Sequence, residues 1–229
     1  MVSLKNKTIF ITGASIGIGR EDAFKFAREG CKLVLTYFKD RKEAQLVSKK
    51  CLELGSPEVL FLHLDIRKDS SITKTAKEII ERFGRISILI NNAAVIHWKP
   101  LKEQSFKEID DQLKANLEGL IKITKILIPY IDNMIINMGS AASMPDNLKK
   151  NQSVYGATKW GVRGFTQALT KEYPNLKVYN FVSGGVATRM KNYKGIEPGK
   201  IAQLILDFAK EKYTLKSGSD INAKDFIDY

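Results

Sequence analysis

The chain has 229 residues, enough for one α/β domain, residues 1–229, with a substantial core, and no linker, repeat or low-complexity tract divides it. Its 37 Lys and Arg against 25 Asp and Glu leave a formal charge of +12, but the lysines are spread through nearly every segment, so a solvated lysine-rich surface is favoured and no specific nucleic-acid partner is expected. No apolar run could span a bilayer, and a strand begins within a few residues of Met1 with no room for a signal peptide, so a soluble, cytoplasmic protein without a membrane partner is expected. Cys31 and Cys51 lack metal-ligand spacing and read as reduced thiols in or near a core, and no metal site is expected.

Ile9 to Ile11 is a short apolar strand that runs straight into Gly13, Gly17 and Gly19 and then into an amphipathic stretch, Asp22 to Glu29, ending at Gly30. A strand, a glycine loop and a helix in that order build an anion site. Gly13 permits the sharp turn, Gly17 lets backbone approach a pyrophosphate, and Gly19 lets the helix pack closely on the sheet. No Gly-Lys-Ser/Thr ending follows, which speaks against a P-loop.

Lys32 to Tyr37 reads as a second strand. An acid at its tip would accept the ribose hydroxyls of NAD(H) and repel a 2′-phosphate. Tyr37 and Phe38 stand there instead, followed by the cations Lys39 and Arg41, which predicts NADP(H) in preference to NAD(H), with NAD still possible; the competing reading is that Lys39 and Arg41 simply open a solvated helix. That helix, Asp40 to Leu54, stops at Gly55. Val59 to Leu64 is a third strand leading to Asp65 and Ile66. Asp65 could meet an adenine amino group or cap the helix that starts near Ser70 or Ser71 and runs to Gly84.

Ile86 to Ile90 is a fourth strand, followed by Asn91-Asn92-Ala93-Ala94. Phe106 to Tyr130 carries Leu113, Leu117, Leu120, Thr124 and Leu127 at the spacing of one apolar helix face, with Asn116 inside it. Met134 to Met138 is a strand that delivers Ser140. Tyr155 and Lys159, four apart, share one face of the next helix. A lysine ammonium about 4 to 5 Å from a phenolate, at an effective dielectric of about 20, supplies roughly 3.5 to 4 kcal/mol of attraction. That would draw Tyr155 down from its ordinary value near 10 towards working range. Ser140 could join Tyr155 as a second donor to a substrate oxygen. Lys177 to Val182, a helix from Pro198 and a strand from Ser217 to Ala223 complete the pattern, and Asp225 to Tyr229 is a short tail.

Several of these motifs, in this order, resemble the short-chain dehydrogenase/reductase family of the classical type. The carriers are Thr12-Gly-x-x-x-Gly-x-Gly19, Asn91-Asn92-Ala93-Ala94, Tyr155-x-x-x-Lys159 and Ser183-Gly-Gly-Val-Ala-Thr188. The resemblance spans Lys7 to about Ala223. It implies a doubly wound, seven-stranded parallel sheet with helices on both faces, a Rossmann fold, whose ligand site lies at the carboxyl ends of the strands. It also implies hydride transfer between NADP(H) and a carbonyl or alcohol substrate, the work of a carbonyl reductase or alcohol dehydrogenase, with a 3-oxoacyl thioester, a sugar or polyol, or a pteridine as other substrates. A catalytically idle dinucleotide sensor or scaffold is the alternative of another class.

The resemblance further implies Tyr155 as general acid or base, Lys159 as its partner and holder of the nicotinamide ribose, Ser140 orienting the substrate oxygen and Asn116 relaying protons through water. Cofactor contacts fall on Gly13, Ser15, Ile16, Gly17, Ile18, Gly19, Tyr37, Lys39, Arg41, Asp65, Ile66, Asn91, Ala93, Tyr155, Lys159, Val186 and Thr188. Ser183 stands where the family has proline, which would loosen that turn. The short interval from Arg189 to Glu197 implies an open or simple pocket. Relatives commonly form homodimers or homotetramers through the helices that here are Phe106 to Tyr130 and Tyr155 to Tyr173.

Overall fold

The apolar runs pair into one parallel sheet of seven strands in a computed structural model that describes residues 1–227. The strands are β1 (Thr8–Ile11), β2 (Lys32–Tyr37), β3 (Val59–His63), β4 (Ile86–Asn91), β5 (Ile131–Met138), β6 (Lys177–Val182) and β7 (Asp220–Asn222), in the order β3-β2-β1-β4-β5-β6-β7. β1 pairs with β2 on one side and β4 on the other, so the chain reverses its winding beside β1 and leaves a crevice at the carboxyl ends there. The helices are α1 (Gly17–Arg28), α2 (Arg41–Glu53), α3 (Asp69–Phe83), α4 (Phe106–Leu113), α5 (Gly119–Leu127), α6 (Ser153–Glu172) and α7 (Pro198–Ala209).

Strand side chains alternate between two cores. Ile9, Ile11, Leu33 and Leu35 join Phe26 and Phe208 on one face of the sheet. Phe10, Val34 and Leu89 join Ile79, Ile123 and Leu169 on the other. Helices therefore cover both faces, as a parallel sheet of near-continuous apolar strands requires.

Four departures from the sequence pattern have local causes. α1 begins at Gly17, whose φ of +62 still belongs to the turn, so Gly19 already lies inside the helix. The stretch from Phe106 to Tyr130 is not one regular helix: a π-turn at Lys114–Glu118 separates α4 from α5, and Ile128–Tyr130 is a 3-10 turn. The extra residue of the π-turn shifts the phase, leaving Leu113 exposed while Ala115, Asn116, Leu120, Ile123, Thr124 and Leu127 are buried. Residues 217–219 form a turn, with Gly218 at φ +92, so β7 is three residues long. In the tail, Ala223–Asp225 is a 3-10 turn and Phe226 packs on Phe208; Asp228 and Tyr229 lie outside the described residues. Cys31 and Cys51 are buried and unlinked. Among the described residues no helix is long and apolar enough to cross a membrane.

Candidate active site

The glycine loop turns sharply off β1, with Gly13 at φ +67 and Gly17 at φ +62. A Cβ at Gly19 would lie 2.5 Å from Asn92 Nδ2 and 2.6 Å from Gly13 O, so only glycine lets α1 start this close to the sheet. Asn92 Nδ2 donates to Thr12 O at 2.9 Å and Gly13 O at 3.0 Å, and Thr12 Oγ1 accepts from the amides of Asn92 and Ala93, both at 3.0 Å. The loop and the end of β4 are thus one hydrogen-bonded unit. Ile16 caps α1 without a side-chain hydrogen bond, and the first turn carries no acid, so its amides and their dipole face an open crevice. These features fit a dinucleotide's phosphates.

That crevice is a cleft of about 410 Å³. Of the residues expected to meet a cofactor, it is lined by Gly13, Ser15, Ile16, Gly17, Ile18, Tyr37, Lys39, Asp65, Ile66, Ala93, Tyr155, Lys159 and Thr188. Gly19 and Asn91 lie behind it: Asn91 Nδ2 donates to Thr124 Oγ1 at 3.0 Å and Asn137 Oδ1 at 2.8 Å, clamping β4 to α5 and β5. Arg41 is not part of the cleft. It faces a separate depression with Gln45 and Ser48, because it begins the outer face of α2. Val186 is buried and supports the wall from β6.

At the adenosine end Asp65 does not cap α3, whose cap residue is Lys68. Its amide donates to Ser71 Oγ at 3.0 Å, and its carboxylate accepts from Arg67 Nε at 2.7 Å. Burial works against the charge, but the Arg67 hydrogen bonds prevail and hold the Asp65 carboxyl below its usual range. Arg67 also binds Asp111 and lies over the Phe38 ring, 4.3 Å from its centroid. Asp111 in turn meets His97 Nε2 at 2.9 Å. The chain pattern did not single out Asp40, Arg67, Asp111 or Arg189, all of which line the cleft. Arg67 could have been noticed as the cation two residues after Asp65; the other three have no local signal.

At the far end Tyr155 and Lys159 project from the first turns of α6, both buried. Lys159 Nζ donates to Met138 O at 2.7 Å and lies 5.7 Å from the Tyr155 ring centroid. Burial pulls Lys159 down to about 8. Burial also raises Tyr155 above its ordinary value, against the opposing hydrogen bond from Ser140. The expected lowering of Tyr155 is therefore reversed: the desolvation of a phenolate here outweighs its neighbours, and the ammonium is turned towards a carbonyl. Ser140 Oγ also accepts from the Ala142 amide at 3.1 Å. Asn116, on the π-turn, binds the backbone of Val95 and donates to Thr158 Oγ1 at 3.3 Å, which anchors it beside Lys159.

The turn after β6 lacks a proline but is tied down. Ile196 N donates to Gly185 O at 2.9 Å, and Ala187 N donates to Ile196 O at 2.8 Å. The segment that follows is short, as expected, yet it is strapped to the far wall, where Trp98 Nε1 donates to Met190 O at 3.2 Å. Among the described residues no cluster of His, Cys, Asp or Glu could hold a metal ion.

A family model described as short chain dehydrogenase matches residues 7–198. An uncharacterized oxidoreductase of Listeria monocytogenes is 29% identical over 250 residues, covering 98% of this chain and 96% of its own. Member 7 of the SDR family of dehydrogenases/reductases from Mus musculus is 31% identical over 193 residues, covering 80% of this chain and 56% of its own. A short chain dehydrogenase from Burkholderia cenocepacia, solved in complex with NADP, superposes with a TM-score of 0.89 at 22% identity, covering 96% of this chain and 97% of that one.

Proposed function

The chain belongs to the short chain dehydrogenases, and from that premise we propose that it is an NADP(H)-preferring reductase or dehydrogenase of a carbonyl or alcohol substrate, acting as one domain. The observation that carries this reading is the shared cleft: the glycine loop with its free amides and the pair Tyr155 and Lys159 line the same crevice. A pure dinucleotide sensor has no need of a buried phenol beside a serine hydroxyl.

When bound, the dinucleotide supplies the hydride-carrying carbon. The first turn of α1 would hold its phosphates, Ala93 and Lys159 its riboses, Asp65 and Ile66 its adenine, and Val186 and Thr188 its carboxamide. Tyr155 Oη donates a proton to the substrate oxygen during reduction and takes it back during oxidation, and burial favours the protonated, donor form of the phenol. Ser140 Oγ orients the same oxygen. Lys159, still largely charged at neutral pH with its value near 8, offsets the negative charge left on Tyr155. Asn116 holds the β4–α4 loop against α6 and keeps a proton path near Lys159 in place.

The preference for NADP(H) rests on Lys39 in the cleft and on the absence of an acid at Tyr37 and Phe38. We also propose a homodimer or homotetramer packed through the stretch from Phe106 to Tyr130 and through α6, which leave Phe106 90% and Trp160 39% exposed; light scattering that finds only monomer at micromolar concentration sinks this. Two buried thiols in place of a disulfide fit a cytoplasmic setting. The function is tested by oxidation of NADPH and NADH by purified protein against ketones, aldehydes, sugars and acyl thioesters. Turnover confined to one substrate group, faster with NADPH, is the expected result. Tight dinucleotide binding with no turnover of any substrate refutes the enzyme reading.

A further inference from the structure

Asp40 sits at the cap position of α2, where an aspartate ordinarily accepts from the free amides of its own helix, yet its side chain makes no such bond. Its carboxylate Oδ2 instead accepts from Arg189 Nη1 at 3.3 Å, 149 residues away in the chain. Asp40 comes from the tip of β2, Arg189 from the segment after β6, and both line the dinucleotide cleft. Their ion pair ties the two sides of its lining together.

The backbone aims Arg189 there. The preceding residue, Thr188, packs on the glycine loop, with Cγ2 3.2 Å from where a Cβ on Gly17 would be. Beyond it, Lys191 N donates to Thr188 O at 3.0 Å and Met190 O is held by Trp98. A guanidinium from the second half of the sheet, which also hydrogen-bonds Tyr193 of its own segment, therefore stands beside the anion cradle in a cleft that Lys39 lines as well. The Arg189 side chain is 61% exposed and that of Asp40 34%. An exposed pair of this kind is weak and readily exchanged, whereas a phosphate matches the planar fork of a guanidinium with two parallel bonds.

We propose that Arg189 is a phosphate-binding residue of this cleft and that Asp40 is its placeholder. On entry of a dinucleotide, Arg189 leaves the Asp40 carboxylate for a phosphate of the ligand, and Asp40 becomes free to cap α2. The inference deepens the function proposed above and rests on it. Two phosphates share the chemistry, the pyrophosphate common to both dinucleotides and the 2′-phosphate carried by one. The two residues act with opposite signs: Arg189 attracts the ligand, while Asp40 competes with it for the guanidinium and repels it.

Isothermal titration of NADP+ and NAD+ into the wild type, Arg189→Ala, Arg189→Lys and Asp40→Asn tests this without turnover. Arg189→Ala is expected to weaken binding by roughly ten- to a hundredfold, as loss of a charge-assisted contact implies, Arg189→Lys to recover part of it, and Asp40→Asn to tighten binding a few fold. Equal loss for both dinucleotides assigns the pyrophosphate; loss confined to NADP+ assigns the 2′-phosphate. Unchanged affinity in Arg189→Ala overturns the proposal, as does weakening by both Arg189→Ala and Asp40→Asn, the mark of a purely structural strut. Failure of the wild type to bind either dinucleotide overturns the functional reading and this inference with it.

Discussion

The side-chain amide of Asn116 grips both backbone groups of Val95: Oδ1 accepts from Val95 N and Nδ2 donates to Val95 O, each at 2.8 Å. The π-turn of Lys114–Glu118 places it there, and Thr158 Oγ1 joins it to α6. Replacing Asn116, itself fully buried, by Ala leaves the half-buried backbone donor and acceptor of Val95 without these partners, at a cost of about 1–2 kcal/mol. Urea titration should show this as a lower midpoint with unchanged slope. An unaltered midpoint means that the loop after β4 is held by other contacts.

Tyr155→Phe keeps the ring and removes only the hydroxyl that Ser140 meets. Turnover should fall by at least about a thousandfold, in line with loss of an acid–base group and its oriented partner, while titration calorimetry finds dinucleotide affinity within about twofold. Retained turnover removes Tyr155 from the mechanism.

Lys159 carries a pH signature. Burial lowers it to about 8, against 10.5 for a free lysine, so the unfolded chain holds the extra proton between those values and folding stability rises as pH increases through that window. The shift corresponds to on the order of 3 kcal/mol. Tyr155, raised by burial, works the other way only above its ordinary value of 10. Burial raises the thiols of Cys31 and Cys51 to about 12, which lowers stability above about 9 equally in both proteins; in chemical denaturation from pH 7.5 to 9.5 the stability of the wild type should therefore rise relative to that of Lys159→Met, and parallel curves contradict a lowered Lys159.

Lys39 and Arg41 separate cleanly. Lys39 lines the cleft and Arg41 does not, so Lys39→Ala should weaken NADPH several fold relative to NADH, while Arg41→Ala leaves both within about twofold, the scatter of an exposed charge. Competition binding measured at one fixed salt concentration decides it. A selective loss in Arg41→Ala reverses the assignment.

Asp22 is fully buried on α1, and neither carboxylate oxygen has a hydrogen-bond partner among the described residues. Burial first, and Glu21 second, raise its pKa well above the ordinary value of 3.8. The folded state then holds a proton that the unfolded chain gives up, so this group costs stability as pH rises above about 4. Asp22→Ala should be more stable than the wild type at pH 7 by about 1–3 kcal/mol, with the gain shrinking towards pH 4. A destabilised variant with no pH dependence would show instead that Asp22 fills space that alanine cannot.

What the sequence by itself determined is what local spacing encodes. Lys32–Tyr37, Lys177–Val182 and the start of α7 at Pro198 agree with their residues as read from the chain, because burial on both faces and a first-turn proline leave direct marks on neighbouring residues. The glycine spacing and the Tyr155–Lys159 interval were equally legible, each lying within a few residues. Only the tertiary structure decided which cations reach the cleft, since a helix start at Arg41 turns that side chain away while Arg189 arrives from the opposite half of the sheet to meet Asp40. It alone revealed the π-turn that brings Asn116 to Val95. It alone set the direction in which Tyr155 is shifted, because desolvation belongs to the closed core and has no counterpart in the order of residues.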